Sequence, residues 1–304
     1  MADAPHLTLK AVLEKNPSGY LGKSWYEKFG VNMGVLVKLI DSAERLTIQV
    51  HPDREKALAL FQSQYGKTEC WHILGGRTIN GEKPCIYLGF RPGITSAHWK
   101  ELFEQQDING MLNCMHRFPV KTGDTILIEG GVPHAIGAGC FLVEIQEPTD
   151  YTIRVEKTTP SGYAVDDFMC HQGLGFNLMF DCFHYKGLTQ EETRKRWFLK
   201  GKAIGKGEGW QRTTLVDYSD TPFFKMDLLV ASNAVSLQQE NVCSALYVLE
   251  GEGKLTSADG EAVISQGDQF FVPANVGRLT FIPALKRTLK LIQCYGPAQI
   301  QKQI

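Results

Sequence analysis

The sequence predicts a mainly β chain built from two small antiparallel barrel units with helical insertions. Three observations carry that prediction. Short runs alternate in polarity, as Leu46, Ile48 and Val50 do against Thr47, Gln49 and His51. Gly-Asp turns, at Gly123-Asp124 and Gly267-Asp268, separate such runs. Residues from about 223 to 296 then repeat the pattern of an upstream segment, strand run for strand run.

Taken along the chain, LTLKAVLEK from Leu7 reads as a helix close to the start, with His6 before it expected to be mobile. The runs 46–51 and 67–74 read as strands, so Gln49 and His51 share one face and Lys67 and Glu69 share another. Thr95 can cap a helix through Trp99, Leu102 and Phe103, and 108–116 reads as a second helix. In FLVEIQ, Phe141, Val143 and Ile145 form one face, and Leu142, Glu144 and Gln146 the other. Val165 to Tyr185 is less regular. Thr189 with Glu192 forms a capping box ahead of a solvated basic turn, Arg194 to Arg196. The four glycines of GKAIGKGEGW, 201–210, read as a loop before the second unit. The expected division is 1–160, a connecting segment 161–222, and 223–304.

Imidazole nitrogen and carboxylate oxygen suit zinc or another first-row divalent ion, and His51, Glu69 and His134 supply such a set, with the Gln49 amide oxygen as a fourth. The ligands lie on separate strands, so spacing alone does not bring them together. The internal repeat sharpens the contrast. Aligning Gly123-Asp124 with Gly267-Asp268 sets His134 on Arg278, and aligning Ile73-Leu74-Gly75-Gly76 with Val248-Leu249-Glu250-Gly251 sets Glu69 on Ser244. VSLQQE at 235–240 takes the place of the QVHP strand and has no histidine, and the last of the eight histidines is His184. The first unit reads as the metal site and the second as structural, with a lid, an interface or a partner surface as its other readings.

Five strings in order, LTIQVHPD, GKTECW, YLGFRPGIT, GGVPHAIGAG and LVEIQEPTDYTIRV, resemble the type I mannose-6-phosphate isomerases. The short bacterial form, with two cupin-type (jelly-roll) barrels, is the nearest match; the resemblance covers most of 8–155 and, more faintly, 223 onward. It implies that His51, Glu69, His134 and Gln49 bind metal, usually zinc. It implies that Lys67, Glu144 and Arg154 act in catalysis and that Thr47, Lys67 and Arg154 meet the substrate, a sugar phosphate. Two departures stand beside it. Relatives carry a further N-terminal stretch of strand-forming residues and tryptophans, whose lack would leave a sheet edge open to dimerisation, and VEKTTPSGY after Arg154 departs from the usual run.

The chemistry suits those residue types. Aldose–ketose interconversion moves a proton between neighbouring carbons through an enediol, which calls for a base, an oxyanion holder and a cation for phosphate. Arg154 offers a fixed fork of donors, Lys67 a point charge or proton shuttle, and Glu144 a base. Plainer readings stand next to these: Arg154 in a surface salt bridge with Asp150 or Glu156, Glu144 on a half-exposed strand, and His72 as a hydrogen-bonded core histidine. His98, His116, His171 and His184 fall in helical or loop stretches and are assigned no chemistry.

Composition narrows the remaining classes. A length of 304 residues holds about two domains, and 43% hydrophobic with 21% charged residues is ordinary for a globular protein. A net charge of -1 supplies no general pull toward nucleic acid or membrane, so a phosphate site would be local. Eight cysteines without a CxxC pair, no apolar signal core and no bilayer-length apolar run imply reduced thiols and a cytoplasmic protein; a monomer and a homodimer are both open expectations. The two function classes are a metal-dependent isomerase and a non-catalytic cupin that binds a sugar or sugar phosphate.

Overall fold

The structure, a computed structural model, describes residues 7–298, and His6 lies outside them. Contacts divide the described residues into two compact units: Leu36–Lys200, and the described parts of Met1–Val35 with Gly201–Ile304. This division differs from the sequence-based boundaries in sending the first helices to the C-terminal unit. It also keeps 161–200 with the strands that carry His51, Glu69 and His134.

The unit Leu36–Lys200 holds β1 (Leu36–Asp41), β2 (Gln49–Val50), β3 (Glu69–Gly76), β4 (Cys85–Phe90), β5 (Met115–Pro119), β6 (Thr125–Ile128), β7 (His134–Ile136), β8 (Cys140–Gln146), β9 (Ile153–Arg154) and β10 (Phe198–Leu199). They form two antiparallel sheets, ordered β1-β8-β3-β6-β10 and β5-β4-β7-β2-β9. Alternation sorts their side chains. Trp71, Ile73, Ile126 and Leu142 of one sheet meet Ile86, Leu88, Phe118 and Ile136 of the other in one core. The opposite face of the second sheet, with Ile48, Val50, Ala135 and Ile153, packs under Trp99, Phe103, Met111, Met179 and Phe183 of the helical insertions. Each of these fully buried large side chains contributes about 1.5–3 kcal/mol by leaving water.

The helical insertions follow their caps. Thr95 accepts from the His98 amide at the head of Ser96–Gln105, and the Thr189–Glu192 capping box opens Gln190–Trp197. The second insertion helix is shorter than expected, Ile108–Asn113, because the chain enters β5 at Met115. His116 therefore lies on a strand, its Nε2 2.7 Å from the Leu188 carbonyl oxygen. Arg194, Lys195 and Arg196 are exposed, as expected. Apart from exposed Phe141, β8 is buried along its length, and Glu144 is not half-exposed.

The other unit holds β11 (Lys202–Gly207), β12 (Trp210–Val216), β13 (Lys225–Ala231), β14 (Val235–Gln238), β15 (Ser244–Glu250), β16 (Glu252–Ser257), β17 (Gly260–Ser265), β18 (Gln269–Val272), β19 (Arg278–Pro283) and β20 (Leu289–Tyr295). The sheets run β11-β12-β13-β20-β15-β18 and β14-β19-β16-β17, with Leu229, Val248 and Leu291 facing Ile264, Leu279 and Phe281. The expected loop at 201–210 is instead a hairpin. Its glycines serve close packing: Gly209 turns at φ +72°, while Gly205 and Gly207 leave room for the Trp210 ring. The helices Leu9–Leu13, Pro17–Leu21 and Lys23–Phe29 bury Leu13, Leu21 and Trp25 with Cys243. All eight cysteines are buried and outside any disulfide, and among the described residues no helix is long and apolar enough to cross a membrane.

Pairing registers bear out the internal repeat. Gln49 pairs with His134 in the first unit and Gln238 with Arg278 in the second. In place of a ligand set, the second unit buries an ion pair: Asp227 accepts from Arg212 Nη2 at 2.7 Å and from Thr214 Oγ1 at 2.6 Å. Removing one member of such a pair strands the other. Asp227→Ala is expected to cost about 3–5 kcal/mol in urea unfolding; a loss under about 1 kcal/mol would show the pair to be dispensable.

Candidate metal centre

Three ligand-bearing segments meet because their backbones approach closely. Gly131 donates to the His51 carbonyl at 2.7 Å, and Lys67 N donates to the Pro52 carbonyl at 3.0 Å. A Cβ on Gly66 or Gly130 would fall within 2.6–2.9 Å of backbone atoms of residues 52–54, so glycine is required at both. Glu69 opens β3 in one sheet, while His51 follows β2 and His134 opens β7 in the other.

The result is a buried triad. Glu69 Oε2 lies 3.1 Å from His51 Nε2 and Oε1 lies 3.4 Å from His134 Nε2, with side-chain exposure of 1% or less throughout. All the potential ligand atoms lie within 4.8 Å of one another. Each ring's Nδ1 is 2.9 Å from a backbone carbonyl, Tyr151 O for His51 and Val132 O for His134. A carbonyl only accepts, so Nδ1 carries the proton and each Nε2 presents its lone pair to the triad.

The charges follow. Burial, reinforced by the Lys67 ammonium, pushes His51 down to about 3, and burial lowers His134 as well, so both rings are neutral. For Glu69, burial alone would raise the pKa, but His51, Lys67 and His134 outweigh it and hold the carboxyl well below the usual range. Both Glu69 oxygens and His134 Nε2 have no hydrogen-bond partner. Two lone-pair nitrogens turned on a partnerless buried carboxylate fit a divalent cation, which all three can bind at once. Lys67 Nζ stands beside them, 3.4 Å from Glu69 Oε2 and 3.0 Å from His51 Nε2. Among the described residues this is the one such group of three.

Other expected site residues fall around the triad at different depths. Gln49, half-buried, pairs in register with both His134 and Arg154, so the three share a face of the sheet. Two strand spacings separate Arg154 from His134, roughly 10 Å. The Arg154 guanidinium donates to the carbonyls of Met169, at 2.9 Å, and Thr152, at 3.3 Å, and Glu156 pairs instead with Arg45. Neither surface salt bridge considered for Arg154 is its hydrogen bond. Thr47 is half-buried on the run into β2. Glu144 is buried beside the triad and accepts from Trp71 Nε1 at 3.0 Å. Burial first, then the charge of Glu69, pushes its carboxyl up to about 7. His72 is the core histidine expected, 2.9 Å from Thr125 Oγ1.

Sequence reasoning missed Lys38 and Asp150. Lys38 Nζ lies 2.8 Å from Gln146 Oε1, 3.0 Å from Asp150 Oδ1 and 3.6 Å from Glu144 Oε1. Asp150, exposed, also reaches within 3.9 Å of Lys67. The available signal was a lysine in the centre of the apolar run LVKLID. Lys38 and Glu144 are cross-strand partners, a pairing that only the register of β1 on β8 reveals.

Comparisons with known proteins point the same way. The model of the phosphomannose isomerase type I catalytic domain matches residues 2–68, and that of the mannose-6-phosphate isomerase cupin domain matches 213–287. The chain is 27% identical over 246 residues to a mannose-6-phosphate isomerase of Streptococcus mutans, covering 80% of this chain and 69% of that one. It is 25% identical over 255 residues to one of Bacillus subtilis, covering 82% and 71%. A crystal structure of the mannose 6-phosphate isomerase from Bacillus subtilis superimposes with a TM-score of 0.73 at 22% identity, over 93% of this chain and 80% of the other, and so shares its fold.

An ion bound at the triad stabilises the folded state. At a free Zn2+ or Co2+ concentration of one hundred times Kd the gain is about 2.7 kcal/mol, read as a rise in the urea midpoint. Glu69→Gln is expected to remain folded by circular dichroism and to lose that rise; an equal rise in the variant would place the ion elsewhere.

Proposed function

We propose that this chain, which belongs to the type I phosphomannose isomerase family, interconverts mannose 6-phosphate and fructose 6-phosphate with one zinc ion held by His51, Glu69 and His134. The observation that carries the reading is the buried triad itself, in which both Glu69 oxygens and His134 Nε2 have no hydrogen-bond partner. Gln49, beside His134 in the ladder, is the fourth ligand of this reading. Each pair of facing sheets is read as a cupin-type barrel, the second without ligands. The protein is read as cytoplasmic, and it works as a monomer or homodimer. The relatives, named as isomerases, do not favour a non-catalytic sugar-binding role.

A divalent ion in this site supplies a Lewis acid for the sugar's carbonyl and hydroxyl oxygens. The remaining work falls to side chains. Glu144, with its carboxyl near 7, is ionised in part at neutral pH and can take a proton from the carbon next to the carbonyl and return it to the neighbouring one. Its Trp71 hydrogen bond fixes the carboxylate's orientation. Lys67 lies in reach of the triad and moves the oxygen-bound proton as the enediol forms and collapses. Arg154 and Thr47 hold the substrate, Arg154 by exchanging its Met169 carbonyl for a phosphate or an enediolate oxygen.

A coupled isomerase assay on purified protein tests this. Activity is expected to vanish on chelation and return with zinc, and Lys67→Ala and Glu144→Gln each to lower kcat by about 10²- to 10⁴-fold. Metal-loaded protein that binds mannose 6-phosphate without turning it over would favour the binding role instead. The pH profile gives a further check. Glu144 acts as base only when ionised, so kcat should fall about tenfold per unit as pH drops below about 7. An acid limb that survives Glu144→Gln would assign the base to another group.

A further inference from the structure

Glu147 takes no part in the proton transfers above, yet it is 1% exposed and pairs with Arg54, whose charge opposes the upward push of burial on its carboxyl. We infer that it is a positioning residue for the metal centre, clamping together the segments that carry His51 and Glu69; this rests on reading those residues as metal ligands. Glu147 follows β8, three positions beyond Glu144. Its Oε2 accepts from Arg54 Nε at 2.7 Å. Arg54 opens the helix Arg54–Phe61 three residues after His51, and that helix is fixed in turn by its Asp53 cap.

The other half of the clamp grips the loop before Glu69. Glu147 Oε1 accepts from the Thr68 amide at 3.3 Å, and the carboxylate accepts from the Gly66 amide as well. In the reverse direction Glu147 N donates to the Thr68 carbonyl at 3.0 Å, and Thr149 Oγ1 donates to the Gly66 carbonyl at 2.5 Å. Lys67 lies between the two gripped amides, and Glu69 is the next residue in the chain. One buried carboxylate thus sets the spacing between an imidazole-bearing segment and a carboxylate-bearing one. Ion ligation tolerates only about ±0.2 Å in ligand distance, whereas a loop held by neutral contacts alone moves further. Charge-assisted bonds are roughly twice as strong as neutral ones, which is why a carboxylate serves here.

The test is a Co2+ titration of the purified protein, read by the visible absorption of the bound ion, with folding checked by circular dichroism and urea midpoint. Glu147→Gln keeps the size and removes the charge; it should weaken Co2+ binding by about 10- to 100-fold and alter the visible band. Arg54→Gln should shift affinity in the same direction by a smaller factor, and it carries the test if the Glu147 variant fails to fold. Folded variants that bind Co2+ as tightly as the wild type, with the same spectrum, overturn the inference even if their midpoints fall. Wild-type protein that takes up no Co2+ overturns instead the metal reading on which the inference stands.

Discussion

A carboxylate held without a partner between two neutral imidazoles is the constraint around which the N-terminal half of this protein is organised. Glu69 is fully buried, and neither of its oxygens has a hydrogen-bond partner. Isolated buried charge is among the most expensive arrangements a fold can contain. Lys67 at 3.4 Å offsets part of that cost, and backbone carbonyls keep both histidines in the tautomer that presents Nε2. What remains is a cation-shaped deficit, and an arrangement costly to stability is one that function explains.

The sandwich makes this possible through register. Glu69 comes from one sheet and both imidazoles from the other, so neither sheet alone forms the centre. The glycines at 66 and 130 let three backbones touch, and Glu147 ties two of them to the end of β8. Around the triad, Glu144, Trp71, Lys38 and Gln146 come together on the neighbouring strands β1, β3 and β8. Charge is layered there: the triad deepest, then Lys67 and Glu144, then Lys38 with the exposed Asp150.

The second unit shows the same pairing put to another use. Its registers match those of the first closely enough to set Gln238 against Arg278 as Gln49 stands against His134. Ser244, where the first unit has Glu69, accepts from Gln293 at 2.8 Å, and Gln293 also donates to Gln239 at 2.6 Å. There neutral amides and a hydroxyl stand where the first unit has a buried carboxylate, with only Gln239 Nε2 left unpartnered. The nearby Arg212–Asp227 pair supplies its own counter-charge. One strand plan therefore holds two chemistries, distinguished by whether the buried charge finds its partner within the chain.

Much of this was legible in residue order. Alternation placed Gln49 with His51 and Lys67 with Glu69 on shared faces, the repeat set a half with histidine and glutamate donors against one without them, and the caps at Thr95 and Thr189 stand where their side chains predict. Local rules reach that far because strand faces and helix caps depend on neighbours a few residues apart. They failed at 201–210, where glycines that read as a loop make room for Trp210 on a strand, and at Lys38, whose partner Glu144 is distant in sequence. Thus the sequence by itself determined the donor types and the faces they occupy. Only the tertiary structure decided which of them meet, that Arg154 turns to a helix carbonyl, and that Glu147 grips two loops. Those outcomes depend on which strands pair and in what register, and that is set by the packing of the whole core.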